Sequence, residues 1–147
     1  MNKKRIYVAG PLNAQAVDYL SNCSNMMTEA EHLRRLGFSV YVPCIDLLMG
    51  LKFNYTDYHD YFDNSQPWLA AADAVYLCKG WQASKGTAKE IELAESLNIP
   101  VFDDPDMLLK HFEDNTLAVN IAESLDELFE KWDELLTTMI SKQTKES

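Results

Sequence analysis

The chain reads as a three-layer α/β domain built on a parallel sheet of strand order 2-1-3-4. Short apolar runs carry that reading: Ile6-Tyr7-Val8, Ser39–Val42, Ala74–Cys78 and Ile99–Phe102. Segments of helical period separate them, and such alternation places helices over a parallel sheet. The first helix is long enough to bridge two strands through a right-handed crossover.

In chain order, Lys4–Ala9 is the first strand, closed by Gly10-Pro11. A helix is predicted from about Ala14 to Leu36, with Met26, Met27, Ala30, Leu33 and Leu36 inward and Gly37 as its C-cap. Ser39–Val42 is the second strand, and Pro43 ends it. Residues 45–64 crowd Phe53, Tyr55, Tyr58, Tyr61 and Phe62 around His59, Asp57, Asp60 and Asp63. They read as aromatics packed on the core, with one or two rings left to touch a ligand. A short helix is expected over Gln66–Ala72, with Ser65 as N-cap and Pro67 in its first turn. Ala74–Cys78 is the third strand and Ile99–Phe102 the fourth. Asp103-Asp104-Pro105-Asp106 turns the chain into a helix ending near Glu113–Asn115. A fifth edge strand is possible near Ala118-Val119. The last element is an amphipathic helix over about 122–141, striped by Leu125, Leu128, Phe129, Trp132, Leu135, Leu136 and Met139. The whole of 1–147 is read as one domain.

Composition narrows the function. A chain of 147 residues with 47% hydrophobic content can bury a core. No apolar run reaches membrane-spanning length, and the basic start is broken too soon by Gly10-Pro11 for a signal-peptide core. The three cysteines, Cys23, Cys44 and Cys78, lack metal-site spacing and read as small buried residues of a cytoplasmic protein. The net charge of −10 argues against a nucleic-acid polymer as partner but leaves room for one small nucleotide. Neither a GxGxxG nor a Walker lysine is present.

The richest stretch runs from Gly80 to Leu97. Ser84 is placed to cap a helix. At roughly 100° per residue, Thr87, Ile91, Leu93, Ala94 and Leu97 share one arc, with Lys89, Glu92, Glu95 and Ser96 opposite. Glu90 sits within the apolar arc, and a carboxylate there needs compensation. That compensation is either backbone hydrogen bonding or a place at the mouth of a ligand site. Ser84, Gly86 and Thr87 are small residues at a helix N-terminus following a strand, where backbone N–H groups can cradle a phosphate or sugar. A plain tight connection is the alternative, and a solvated face is the alternative for Lys79, Lys85 and Lys89.

Tyr7-Val8-Ala9-Gly10-Pro11, Trp68-Leu69-x-x-x-Asp73 and Gly80-Trp81-x-x-Ser84-x-Gly86-x-x-x-Glu90 together resemble the nucleoside 2-deoxyribosyltransferase superfamily over about residues 4–102. The likeness is strongest to its small phage and bacterial branch, and the deoxynucleoside 5′-monophosphate N-glycosidases share the Ser-x-Gly-x-x-x-Glu spacing. The resemblance implies a Rossmann- or flavodoxin-like fold and cleavage of an N-glycosidic bond without metal or cofactor. It implies Glu90 as the nucleophile and Tyr7 as the group that holds it. Ser84 would hold the sugar hydroxyls or a 5′-phosphate, and Gly10 and Gly86 the backbone cradle. Pro11, Trp81 and Thr87 complete the expected substrate-binding set. Families of this type place an acid eight residues before the equivalent of Asp73. Here that position is Ser65, and Asp63 is the candidate replacement.

Such chemistry develops positive charge on the sugar, which a buried carboxylate can stabilise or bond to. A second group protonates the leaving base. Two other functions share these residues: a non-catalytic nucleotide-binding protein, and a NAD-type glycohydrolase. A homodimer or larger assembly is expected, through the last helix or the helix after Gly10.

Overall fold

The computed structural model describes residues 3–12, 16–54 and 58–146. The helix start expected at Ala14, together with Tyr55 and Asp57, lies outside them. The side chain of Tyr58 is likewise not described. Contacts divide the chain into two units, Met1–Leu108 and Leu109–Ser147.

The first unit holds a four-stranded parallel sheet in the order β2-β1-β3-β4. Its strands are β1 (Arg5–Ala9), β2 (Ser39–Tyr41), β3 (Ala74–Leu77) and β4 (Val101–Phe102). Tyr7 lies opposite Tyr41 in the β1–β2 register and opposite Val75 in the β1–β3 register. β1 and β3 are central and buried along nearly their whole length, as the continuous apolar runs require of strands covered on both faces.

Side chains alternate across the sheet. Tyr7, Ala9, Val75 and Leu77 pack with Leu69 and Ala94 in one cluster. Those two residues come from α3 (Tyr58–Ala70) and α4 (Lys85–Ser96). The other face is covered by α1 (Ala16–Arg35). Of its expected inner face, Met26, Ala30 and Leu33 are buried, Leu36 is half-buried, and Met27 is exposed. Gly37 ends α1 at φ +103, a conformation that suits glycine. Its N–H bonds Arg34 O, and the Phe38 N–H bonds Leu33 O, which closes the helix.

Between β2 and β3 a 3₁₀ turn (Pro43–Asp46) leads into α2 (Leu47–Phe53) and then α3. α3 starts eight residues before the expected Gln66. Ser65 is therefore not a cap, and Pro67 stands inside the helix rather than in its first turn. The α3 face that packs inward carries Ser65 and Leu69. Tyr61 and Phe62 are half-buried, and Phe53 and His59 are exposed.

Asp104 caps α5 (Pro105–Glu146), its Oδ1 accepting from the N–H groups of Asp106 (2.8 Å) and Met107 (3.3 Å). Pro105 stands at the first helical position. α5 is one helix of 42 residues. The helix end near Glu113–Asn115 and the edge strand near Ala118-Val119 are therefore corrected, because helical backbone runs through both. No helix among the described residues is long and apolar enough to cross a membrane.

Candidate functional site

β3 ends at Leu77, and the chain turns through Cys78-Lys79-Gly80 into a short 3₁₀ turn (Trp81–Ala83) before α4. The Glu29 carboxylate on α1 anchors this loop by accepting the Lys79 N–H at 3.3 and 3.4 Å. Ser84 caps α4 as expected. It has extended backbone, and its Oγ accepts from the Thr87 N–H at 3.2 Å. That bond corrects one expectation, since the Thr87 N–H is used inside the cap and does not face a ligand. The Ser84 hydroxyl keeps its proton to donate.

From that cap the helical phase turns Thr87, Glu90 and Ala94 inward, while Leu97, expected on the same arc, is exposed. Thr87 is 1% exposed, and its Oγ1 is a buried oxygen with no hydrogen-bond partner among the described residues. Glu90 is 8% exposed and meets Tyr7, which is completely buried on β1. The Tyr7 hydroxyl donates to Glu90 Oε1 at 2.6 Å. This is the compensation that an inward carboxylate requires.

Burial pushes the Glu90 carboxyl up to about 7, against the lowering effect of the Tyr7 hydrogen bond. Burial and the adjacent Glu90 charge push Tyr7 well above the usual phenol range, so it stays protonated and donates.

Ser65 and Trp68, both singled out in sequence, complete the surroundings with Tyr41, which was not. Ser65 is 4% exposed on the inward face of α3, and its hydroxyl donates to Phe62 O at 3.4 Å. Tyr41 stacks on Tyr7 with ring centroids 5.6 Å apart, and Trp68 stacks on Tyr41 at 5.4 Å. The Tyr41 hydroxyl donates to Asp46 Oδ2 at 3.3 Å, which also accepts from Asn64. The available signal was positional: Tyr41 ends the strand beside β1, one residue short of the Val42-Pro43 break.

The other expected residues divide. Asp63 is exposed, and at roughly 200° from Ser65 around α3 it points away from the Tyr7–Glu90 pair. Trp81 packs half-buried against the cluster that contains Tyr7. Gly10 is buried, and a Cβ there would lie 2.8 Å from Cys78 Cβ, so close packing alone requires this glycine. Gly86 is in the first turn of α4 and half-buried. Pro11 lines a cavity of about 400 Å³ with Asn22, Met26, Glu29, Cys78 and Lys79. That cavity lies on the α1 side of the sheet, while Glu90 lies on the α3–α4 side.

Asp73 belongs elsewhere. It precedes β3, accepts the Arg5 N–H at 2.7 Å and ties the N-terminal ends of β1 and β3 together. Among the described residues no group of three or more His, Cys, Asp or Glu side chains could hold a metal ion.

Among solved structures, the chain is similar to a 2-deoxyribosyltransferase from the psychrotolerant bacterium Bacillus psychrosaccharolyticus. Identity is 26%, the alignment covers 66% of this chain and 69% of that one, and the TM-score is 0.49. Among curated proteins, none matches. Residues 4–103 match a family described as Domain of unknown function (DUF4406).

Proposed function

The chain belongs to that family, Domain of unknown function (DUF4406), and we propose that it cleaves the N-glycosidic bond of a (deoxy)nucleoside or its 5′-monophosphate. The observation that supports this most is the buried Glu90 carboxylate held at 2.6 Å by Tyr7, one and a half turns into the capped helix α4. The sequence resemblance to nucleoside 2-deoxyribosyltransferases supplies the reaction class.

On this reading Tyr7 holds Oε1, and Oε2 of the ionised Glu90 attacks the anomeric carbon. The C–N bond breaks, its electron pair leaves with the base, and the base takes up a proton from water. A glycosyl ester on Glu90 remains. Water then attacks it in a hydrolase, or the nitrogen of a second base in a transferase, and the carboxylate is restored. Ser84 donates its hydroxyl proton to a 5′-phosphate, which the positive end of α4 also favours. The outward placement of Asp63 argues against it as the proton donor.

A second reading is nucleotide binding without turnover. One observation favours it: Ser65, a buried hydroxyl, stands where the families that this chain resembles carry an acid.

Incubation with a panel of nucleosides and 5′-monophosphates, scored for released base, tests both. Free base with wild type and none with Glu90→Gln is the expected result. Ligand bound but unchanged by wild type would establish the second reading. Release of nicotinamide from NAD would place the chemistry in a different substrate class. Asp63→Asn is expected to keep turnover.

A further inference from the structure

The second unit carries a surface that the proposed chemistry does not use. Ile121, Leu125, Leu128, Trp132, Leu135 and Met139 succeed one another at alternating steps of four and three. That is the 3.5-residue repeat of a supercoiled seam, sustained here through most of three heptads. Each of these side chains is about half exposed or more, Trp132 by 57%. Phe129 and Leu136 widen the stripe along one edge and are also exposed.

The charges sort around this seam. Glu123, Asp126, Glu127, Glu130, Asp133 and Glu134 all fall on the back of the helix, at the positions a coiled coil leaves to solvent. The flanking positions hold Ser124, Lys131 and Thr138 on one side and Phe129 and Leu136 on the other, with no carboxylate. A chain of net charge −10 therefore presents a seam on which two copies do not repel each other.

We infer that the seam pairs with the same seam of a second copy, antiparallel. The spacing maps onto itself when reversed about Glu130. Ile121 then meets Met139, Leu125 meets Leu135, and Leu128 meets Trp132, so no indole has to face its own copy. Charge favours the same direction. Acids dominate the stretch before Leu135, whereas Lys142 and Lys145 stand in the last turns. Reversal brings Lys142 toward the end of the other copy's helix that carries Glu113 and Asp114. Eight large apolar side chains, each leaving on the order of 100 Å² to bury, supply the roughly 800 Å² per partner of a stable interface.

Sedimentation of the full chain at micromolar concentration is expected to give twice the chain mass. Leu128→Glu combined with Leu135→Glu should halve that mass with helical circular dichroism retained. Thr137→Glu, on the back of the helix, should leave it doubled. Should the double variant unfold, direction-specific crosslinking decides. Ile121→Cys mixed with Met139→Cys chains should form an intermolecular disulfide under oxidation, and Ile121→Cys alone should not. The three native cysteines are buried, and wild type serves as their control. A monomeric wild type would overturn the pairing, and self-crosslinking of Ile121→Cys would overturn its direction.

Discussion

The Tyr7 hydroxyl and the Glu90 carboxylate are 2.6 Å apart, and 83 residues of sequence separate them. The bond joins the central strand to the helix beside it and turns a buried charge into a held one.

Glu90 makes stability depend on pH. Its carboxyl is raised from 4.5 to about 7 in the folded chain, mainly by burial. The folded state therefore binds more protons than the unfolded state between those values. The associated stability is complete below about 4.5 and is lost as pH rises through about 7. The shift corresponds to about 3 kcal/mol. Glu90→Gln removes the titration, so its melting temperature relative to wild type should climb between pH 5 and pH 8. A difference that stays flat with pH would contradict a raised carboxyl.

Tyr7→Phe removes the hydrogen bond that opposes this shift, so the Glu90 carboxyl should rise further. On the glycosidase reading the ionised form is the active one. The wild-type rate should then increase through about pH 7, and the Tyr7→Phe profile should move to higher pH with a lower plateau. Loss of a hydrogen bond to a charged group should also cost roughly 1.5–3 kcal/mol of stability above neutral pH. Rate profiles of the two proteins check the first claim, and denaturant unfolding at pH 8 checks the second.

Ser84→Ala removes the α4 cap at a cost of about 1 kcal/mol. It also removes the hydroxyl proposed to meet a 5′-phosphate. KM for monophosphates should rise about tenfold while KM for nucleosides barely changes, as expected for one hydrogen bond to a charged group worth about 1.5 kcal/mol. Equal effects on both substrate classes would assign Ser84 to the cap alone.

Gly10→Ala should destabilise the domain by roughly 1–3 kcal/mol, since the new methyl overpacks the gap between β1 and β3. The contact would be with Cys78 Cβ at 2.8 Å, not chiefly with its sulfur. Cys78→Ala should therefore fail to rescue the variant. Chemical denaturation of the single and double variants tests this.

What could be read from sequence is what local period determines. Continuous apolar runs marked the strands, and their alternation with segments of helical period pointed to the parallel order 2-1-3-4. A period of 3.6 turned Glu90 inward, and Ser84 and Gly37 were legible as caps because capping depends on neighbours within a turn. Tertiary structure decided everything that depends on which elements meet. Register set Tyr41 against Tyr7, and α3 buried Ser65 while turning Asp63 outward, because the helix begins at Tyr58 and its phase follows the packing of Leu69. The Thr87 N–H was consumed by its own cap. The β-like pair Ala118-Val119 stayed helical, since α5 runs on through both. Short-range spacing states which side of an element faces inward. Only the packed fold states what it faces.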